Sequence, residues 1–107
     1  MQLIRGTTPT IVVNVKSELD FTMITEVWLY IAQQNKVKVD KELENVTLNE
    51  EKKTITCVLS QEDTLSLKDG DATIQIRILL SDGTALANKE SKVTVLPVRK
   101  QGVITNE

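Results

Sequence analysis

Asp40, Glu42 and Glu44 stand at every second position of the chain. On an extended strand that spacing lines three carboxylates along one face, and such oxygens suit a hard cation like Ca²⁺. Lys36, Lys38 and Lys41 are interleaved with them, and no glycine-bearing ligand loop accompanies the acids. A solvated, charge-balanced outer face is therefore the expectation, with no metal bound. Glu62 and Asp63 form a second acidic pair that could do acid–base work. They follow Ser60, however, in a stretch that reads as a helix start: a serine cap with acids in the first turn, where the helix N-terminus stabilises them. Cys57 is the single thiol. It sits in mid-strand on an apolar face, which predicts a buried, inert side chain. Histidine is absent, which removes His-based acid–base and nucleophile systems and most transition-metal sites. Four glycines make no phosphate loop. Asn45-Val-Thr47 matches a glycosylation acceptor, but nothing in the first residues reads as a signal peptide, so the match is taken as coincidence. No catalytic residue and no cofactor are expected, and the chain reads as a non-enzyme.

The elements that would carry these residues are strands. Ala72–Leu80 places Ile74, Ile76, Ile78 and Leu80 on one face and Thr73, Gln75 and Arg77 on the other, the period of two of a half-buried strand. Ser81-Asp-Gly-Thr84 follows. Asp82-Gly83 predicts a type I′ hairpin turn, with Ala85–Val95 returning alongside. Upstream, Thr10–Val15 is rich in β-branched residues and is entered through Pro9, whose missing donor suits a strand start. Ser17–Thr25 connects, folding a side chain or two beneath the sheets. Glu26–Gln33 comes next, with Val27, Leu29 and Ile31 alternating against Trp28, Tyr30 and Ala32. Lys36–Leu43 follows with Val37 and Val39 inward, and a slip in apolar phase near Glu44–Asn45 predicts a bulge or a change of sheet. Val46–Leu48 and Thr54–Leu59 make a second hairpin. A short helix after Ser60 then crosses between sheets, and Lys68-Asp-Gly70 stops it. About seven short strands at this spacing, with no long helix, predict an all-β, antiparallel immunoglobulin-like β-sandwich over residues 1–100. Residues 101–107 read as a frayed tail.

At 107 residues one domain is expected. A single cysteine precludes an internal disulfide, and a chain this size buries roughly two-thirds of its unfolded surface without one. No apolar run approaches the length of a membrane span. Thirteen basic and fifteen acidic residues are intermixed, for a net charge of −2. That is no basic stripe, and with three aromatics in all (Phe21, Trp28 and Tyr30) nucleic acid is not an expected partner. Synthesis in the cytoplasm is expected, with neither a membrane partner nor a leader.

The order of segments resembles a small immunoglobulin-like domain of tailed-phage and prophage proteins of Gram-positive hosts, such as the N-terminal domain of baseplate upper proteins. The stretches that carry the likeness are Arg5-Gly-Thr-Thr-Pro-Thr-Ile11 and Ile24-Thr-Glu-Val-Trp-Leu-Tyr-Ile31. Leu59-Ser-Gln-Glu-Asp-Thr-Leu65 and the run from Gly70 to Ser81-Asp-Gly-Thr84 complete it. The resemblance implies a structural or assembly role in a phage particle, possible incorporation into a virion, and partners among other phage structural proteins or further copies of the chain. It brings no catalytic residues. A bacterial immunoglobulin-like adhesion or carbohydrate-binding module is the alternative, though so few aromatics leave little for sugar stacking. With Val27, Leu29 and Ile31 assigned to the core, Trp28 and Tyr30 point outward. They are the candidate interface, because exposed aromatics anchor protein contacts. The alternatives are that the Ser17–Thr25 connection with Phe21 covers them within the monomer, or that the tryptophan faces inward as in antibody domains.

Overall fold

The computed structural model describes residues 1–106. Its strands are β1 (Gln2–Ile4), β2 (Thr10–Asn14), β3 (Ile24–Gln33), β4 (Lys36–Lys41), β5 (Thr47–Asn49), β6 (Thr54–Val58), β7 (Gly70–Leu80), β8 (Ala85–Ala87) and β9 (Ser91–Leu96), with one short helix, α1 (Gln61–Leu65). They form two sheets. The larger runs β1-β9-β7-β3-β4, with β8 also paired to β7, and the smaller runs β2-β6-β5. The protein is a β-sandwich, as the period-two patterning predicts. All pairs are antiparallel except β1 with β9.

Alternation fixes the core. Val27, Leu29 and Ile31 on β3 and Ile74, Ile76 and Ile78 on β7 face inward, with Val93 and Val95 from β9 beside them. Ile11, Val13, Ile55 and Cys57 meet them from the smaller sheet. Leu19 and Phe21, from the connection after β2, tuck into the same cluster, so that segment does fold beneath the sheets. The chain changes sheets at a 3-10 turn, Leu43–Asn45, where the apolar phase slips. It changes back through α1. There Ser60 Oγ accepts from the Asp63 amide at 3.0 Å and Asp63 Oδ2 accepts from the Ser60 amide at 2.9 Å, a reciprocal cap.

Four expectations need correction: the number of strands, the unbroken return strand Ala85–Val95, the inward Val37 and the Asp82-Gly83 turn. Nine strands are present rather than about seven, because three-residue β1 is recruited by β9 and the return strand is broken into β8 and β9. The break at Asn88 has a cause: its Oδ1 accepts from the Ile76 amide at 2.8 Å, so a side chain takes the place of a ladder bond. Val37 is exposed rather than inward. The register of β4 shifts between Ile31 and Ala32, leaving Lys38 as the extra residue, which turns Val37 to the outer face opposite Ala32.

The fourth correction concerns the turns. Only Gly83 of the Asp82-Gly83 pair has positive φ, at +90°. The Leu80 amide donates to the Thr84 carbonyl and the Gly83 amide to the Leu80 carbonyl, which closes a three-residue loop, Ser81–Gly83. The turn with positive φ at both central residues is Gln34-Asn35, at 53° and 64°, between β3 and β4. Gly83 is still committed to the left-handed region. A Cβ there would meet nothing within 4 Å, so the cost of a side chain is backbone strain alone. Gly83→Val should destabilise by about 1–2 kcal/mol and Gly83→Asn by less. Thermal melts would check this, and equal losses for the two would argue against strain at this position.

Candidate interaction face

The outer face of the larger sheet is set by the same alternation that fills the core. Trp28 lies opposite Arg77 on β7, and Tyr30 lies between Gln75 on β7 and Asp40 on β4. Trp28 keeps 45% of its surface exposed, and the Arg77 guanidinium sits 5.2 Å from its ring centroid. Tyr30 is half-buried. Its hydroxyl donates to Gln75 Oε1 at 2.6 Å, and Gln75 Nε2 donates to the Asn88 carbonyl at 2.9 Å. Thus the polar break between β8 and β9 holds Gln75, and Gln75 holds the tyrosine. Leu79, on the same face diagonal to Trp28, and Val37, at the β4 end, are also exposed. The result is an apolar row along the sheet, Leu79–Trp28–Tyr30–Ala32–Val37, flanked by Arg77 on one side and Asp40 on the other. Phe21 is in the core and does not cover it.

The other candidates are placed elsewhere. Asp40 lies beside Tyr30, while Glu42 and Glu44 belong to the turn that leaves β4, so strand spacing does not continue through them. No three acidic, cysteine or histidine side chains converge among the described residues. Cys57 is 2% exposed, and burial pushes its thiol above the ordinary range. Glu62 is on the first turn of α1. Asp63 does structural work there. Lys41 Nζ lies 2.8 Å from its carboxylate, joining α1 to the end of β4.

Burial alone would raise the Asp63 carboxyl, but the Lys41 ammonium and the Ser60 donors outweigh it and hold it below the usual range. A carboxyl depressed on folding adds stability above its unfolded value, about 4, and that stability is lost as pH falls through the folded value. Asp82, held down by Thr84, and Asp20, held down by Thr22, act in the same sense. Asp63→Asn should therefore be less stable than wild type at pH 7 and lose less stability between about pH 5 and pH 2. Urea melts across that range would show it; parallel curves would remove Asp63 from the acid limb.

No family profile matches this chain, and no curated protein does. Among solved structures the chain is similar to CopC from Methylosinus trichosporium OB3b, with a TM-score of 0.54 and 15% identity over 94% of this chain and 89% of that one. The likeness is one of fold. It supports the two-sheet sandwich and carries no residue of a site across. Among the described residues no helix is long and apolar enough to cross a membrane.

Proposed function

We propose that this chain is a non-enzymatic assembly module that works through protein–protein contacts on the Trp28–Tyr30 face. The observation behind this reading is the apolar row on the outer face of the larger sheet, in which Trp28 is 45% exposed and its neighbour Tyr30 is held by Gln75. Aromatic anchors pre-positioned in this way lose little entropy on docking. The Arg77 guanidinium against the Trp28 ring leaves less free π-face for a sugar, which favours a protein partner over a carbohydrate. The setting we propose, a phage or prophage tail or baseplate, rests on the resemblance in segment order. Partners would then be other particle proteins or further copies of the chain.

Light scattering of wild type and of Trp28→Ser/Tyr30→Ser, alone and mixed with the products of adjoining genes, tests the reading. The double variant should keep its circular dichroism spectrum and lose the complex or oligomer that wild type forms, since truncating such anchors costs about 2 kcal/mol or more of binding. A wild type that stays monomeric and binds none of those products would overturn it.

A further inference from the structure

The smaller sheet ends in an edge that nothing in the described chain covers. The Val15 amide donates to the Lys53 carbonyl and the Leu59 amide to the Pro9 carbonyl, so the odd-numbered residues of β2 are the ones bonded to β6. By alternation, the amides and carbonyls of Thr10, Val12 and Asn14 point off the free side, where β2 has no neighbouring strand. Native edges are usually blunted by charge, a bulge or shortness. In this protein β4 carries Lys36, Lys38, Asp40 and Lys41 and a bulge, while β1, β5 and β8 are three residues each. By contrast β2, Thr-Ile-Val-Val-Asn, is five residues long, regular in register and uncharged.

A groove runs beside that edge. The larger sheet is five strands across and the smaller three, so about 10 Å of inner face has no strand opposite it. Part of this gap is a cleft of about 530 Å³ between the end of β2 and the β7–β8 hairpin, lined by Val13, Val15, Ile76, Ile78, Leu80 and Leu86. Its rim carries Glu18, Asp20 and Asp82 with Lys16 among them, and the Lys53 ammonium lies just behind on the Leu19 carbonyl at 2.6 Å. A row of unpaired peptide groups selects an extended backbone, and an adjoining apolar cleft selects alternate side chains of that backbone. The acidic rim selects basic flanks.

We propose that β2 is a docking edge for an extended segment of a partner protein, with apolar side chains at alternate positions entering the cleft and basic residues meeting Glu18, Asp20 and Asp82. This surface is on the smaller sheet and does not depend on the Trp28–Tyr30 face. A second copy pairing β2 to β2 would satisfy the backbone but leave the cleft empty, because the inward side chains of β2 already belong to its own core.

The probe is the synthetic peptide Lys-Thr-Val-Thr-Val-Thr-Val-Thr-Lys, titrated into the full chain and followed by backbone amide NMR and calorimetry. In the free protein the Val12 and Asn14 amides should exchange rapidly with solvent. Saturable binding should then protect them and weaken as salt is added. Val12→Pro, which removes a donor that no neighbour in the fold uses, should weaken binding by about tenfold or more. If that variant does not fold, Asn14→Pro replaces it. Glu18→Lys should also weaken binding, and Trp28→Ser should leave it unchanged. Slow exchange at Val12 and Asn14 in the free monomer, absence of saturable binding, or binding indifferent to the proline variants would each overturn the proposal. So would a β2-paired dimer that excludes the peptide. Loss of the Trp28–Tyr30 contact would leave all of these readouts in place.

Discussion

Leu29→Ala should cost about 3 kcal/mol, whereas the larger neighbouring truncation, Trp28→Ala, should cost about 1 kcal/mol. The inversion follows from the faces of β3. Leu29 has no exposed surface and lies opposite Ile76 in the middle of the larger sheet, where the strands on both sides limit collapse around a cavity. Lost transfer free energy and an unfilled cavity then add. Trp28 is nearly half exposed, and the Arg77 guanidinium lies over its ring, a contact of about 0.5–1 kcal/mol. For a domain of this size, about 3 kcal/mol corresponds to a fall in melting temperature of roughly 12–24 °C. Trp28 is the only tryptophan, so the melts are best followed by far-ultraviolet circular dichroism. A tolerated Leu29→Ala together with an unfolding Trp28→Ala would mean that the two faces of β3 are reversed.

That assignment of faces was legible from the sequence, as was most of the core, because period-two alternation is a local signal and β3 and β7 are long enough to carry it. The cap on α1 was legible for the same reason: Ser60 and Asp63 are three residues apart. What escaped was set by partners distant in sequence. Gln2-Leu3-Ile4 becomes a strand only because Val95 and its neighbours lie parallel to it. The outward turn of Val37 depends on how Lys38 is skipped in the pairing with β3. Asn88 interrupts the return strand through a bond to Ile76, twelve residues away. Its one local trace is the polar run Asn88-Lys-Glu-Ser-Lys92 between Ala87 and Val93. Asp82-Gly83 predicts a type I′ turn, yet it is Gln34-Asn35 that has positive φ at both central residues. The pairing of Gln33 with Lys36 leaves a two-residue loop, for which the primed turns match the strand twist, and asparagine tolerates positive φ. The uncovered edge of β2 could be suspected from its lack of charge, but which side of a strand is left unpaired is a property of topology.

Gln33 gives the second large effect. It is 6% exposed at the end of β3, and its side chain serves a segment thirty-five residues away. Oε1 accepts from the Lys68 amide at 2.9 Å and Nε2 donates to the Lys68 carbonyl at 2.7 Å. The amide thereby imitates a strand and pins the stretch between α1 and β7 to the sheet. Gln33→Leu keeps the bulk but leaves an amide and a carbonyl without their partners, so a loss of about 2–3 kcal/mol is expected. Gln33→Glu separates the two halves of the contact. An ionised carboxylate still accepts from the amide but faces the Lys68 carbonyl with no proton to give, whereas the neutral acid can donate to it. Burial and that carbonyl both favour the neutral form, so the introduced carboxyl should titrate above the ordinary value of about 4.3. A carboxyl raised on folding binds protons more tightly in the native state, and its contribution is lost as pH climbs from the unfolded to the folded value. Gln33→Glu should therefore sit closest to wild type near pH 4 and fall progressively behind it toward pH 7. Urea midpoints for the two proteins across that range would read this directly. A gap that is constant with pH would show that the side chain of residue 33 does not face the Lys68 carbonyl.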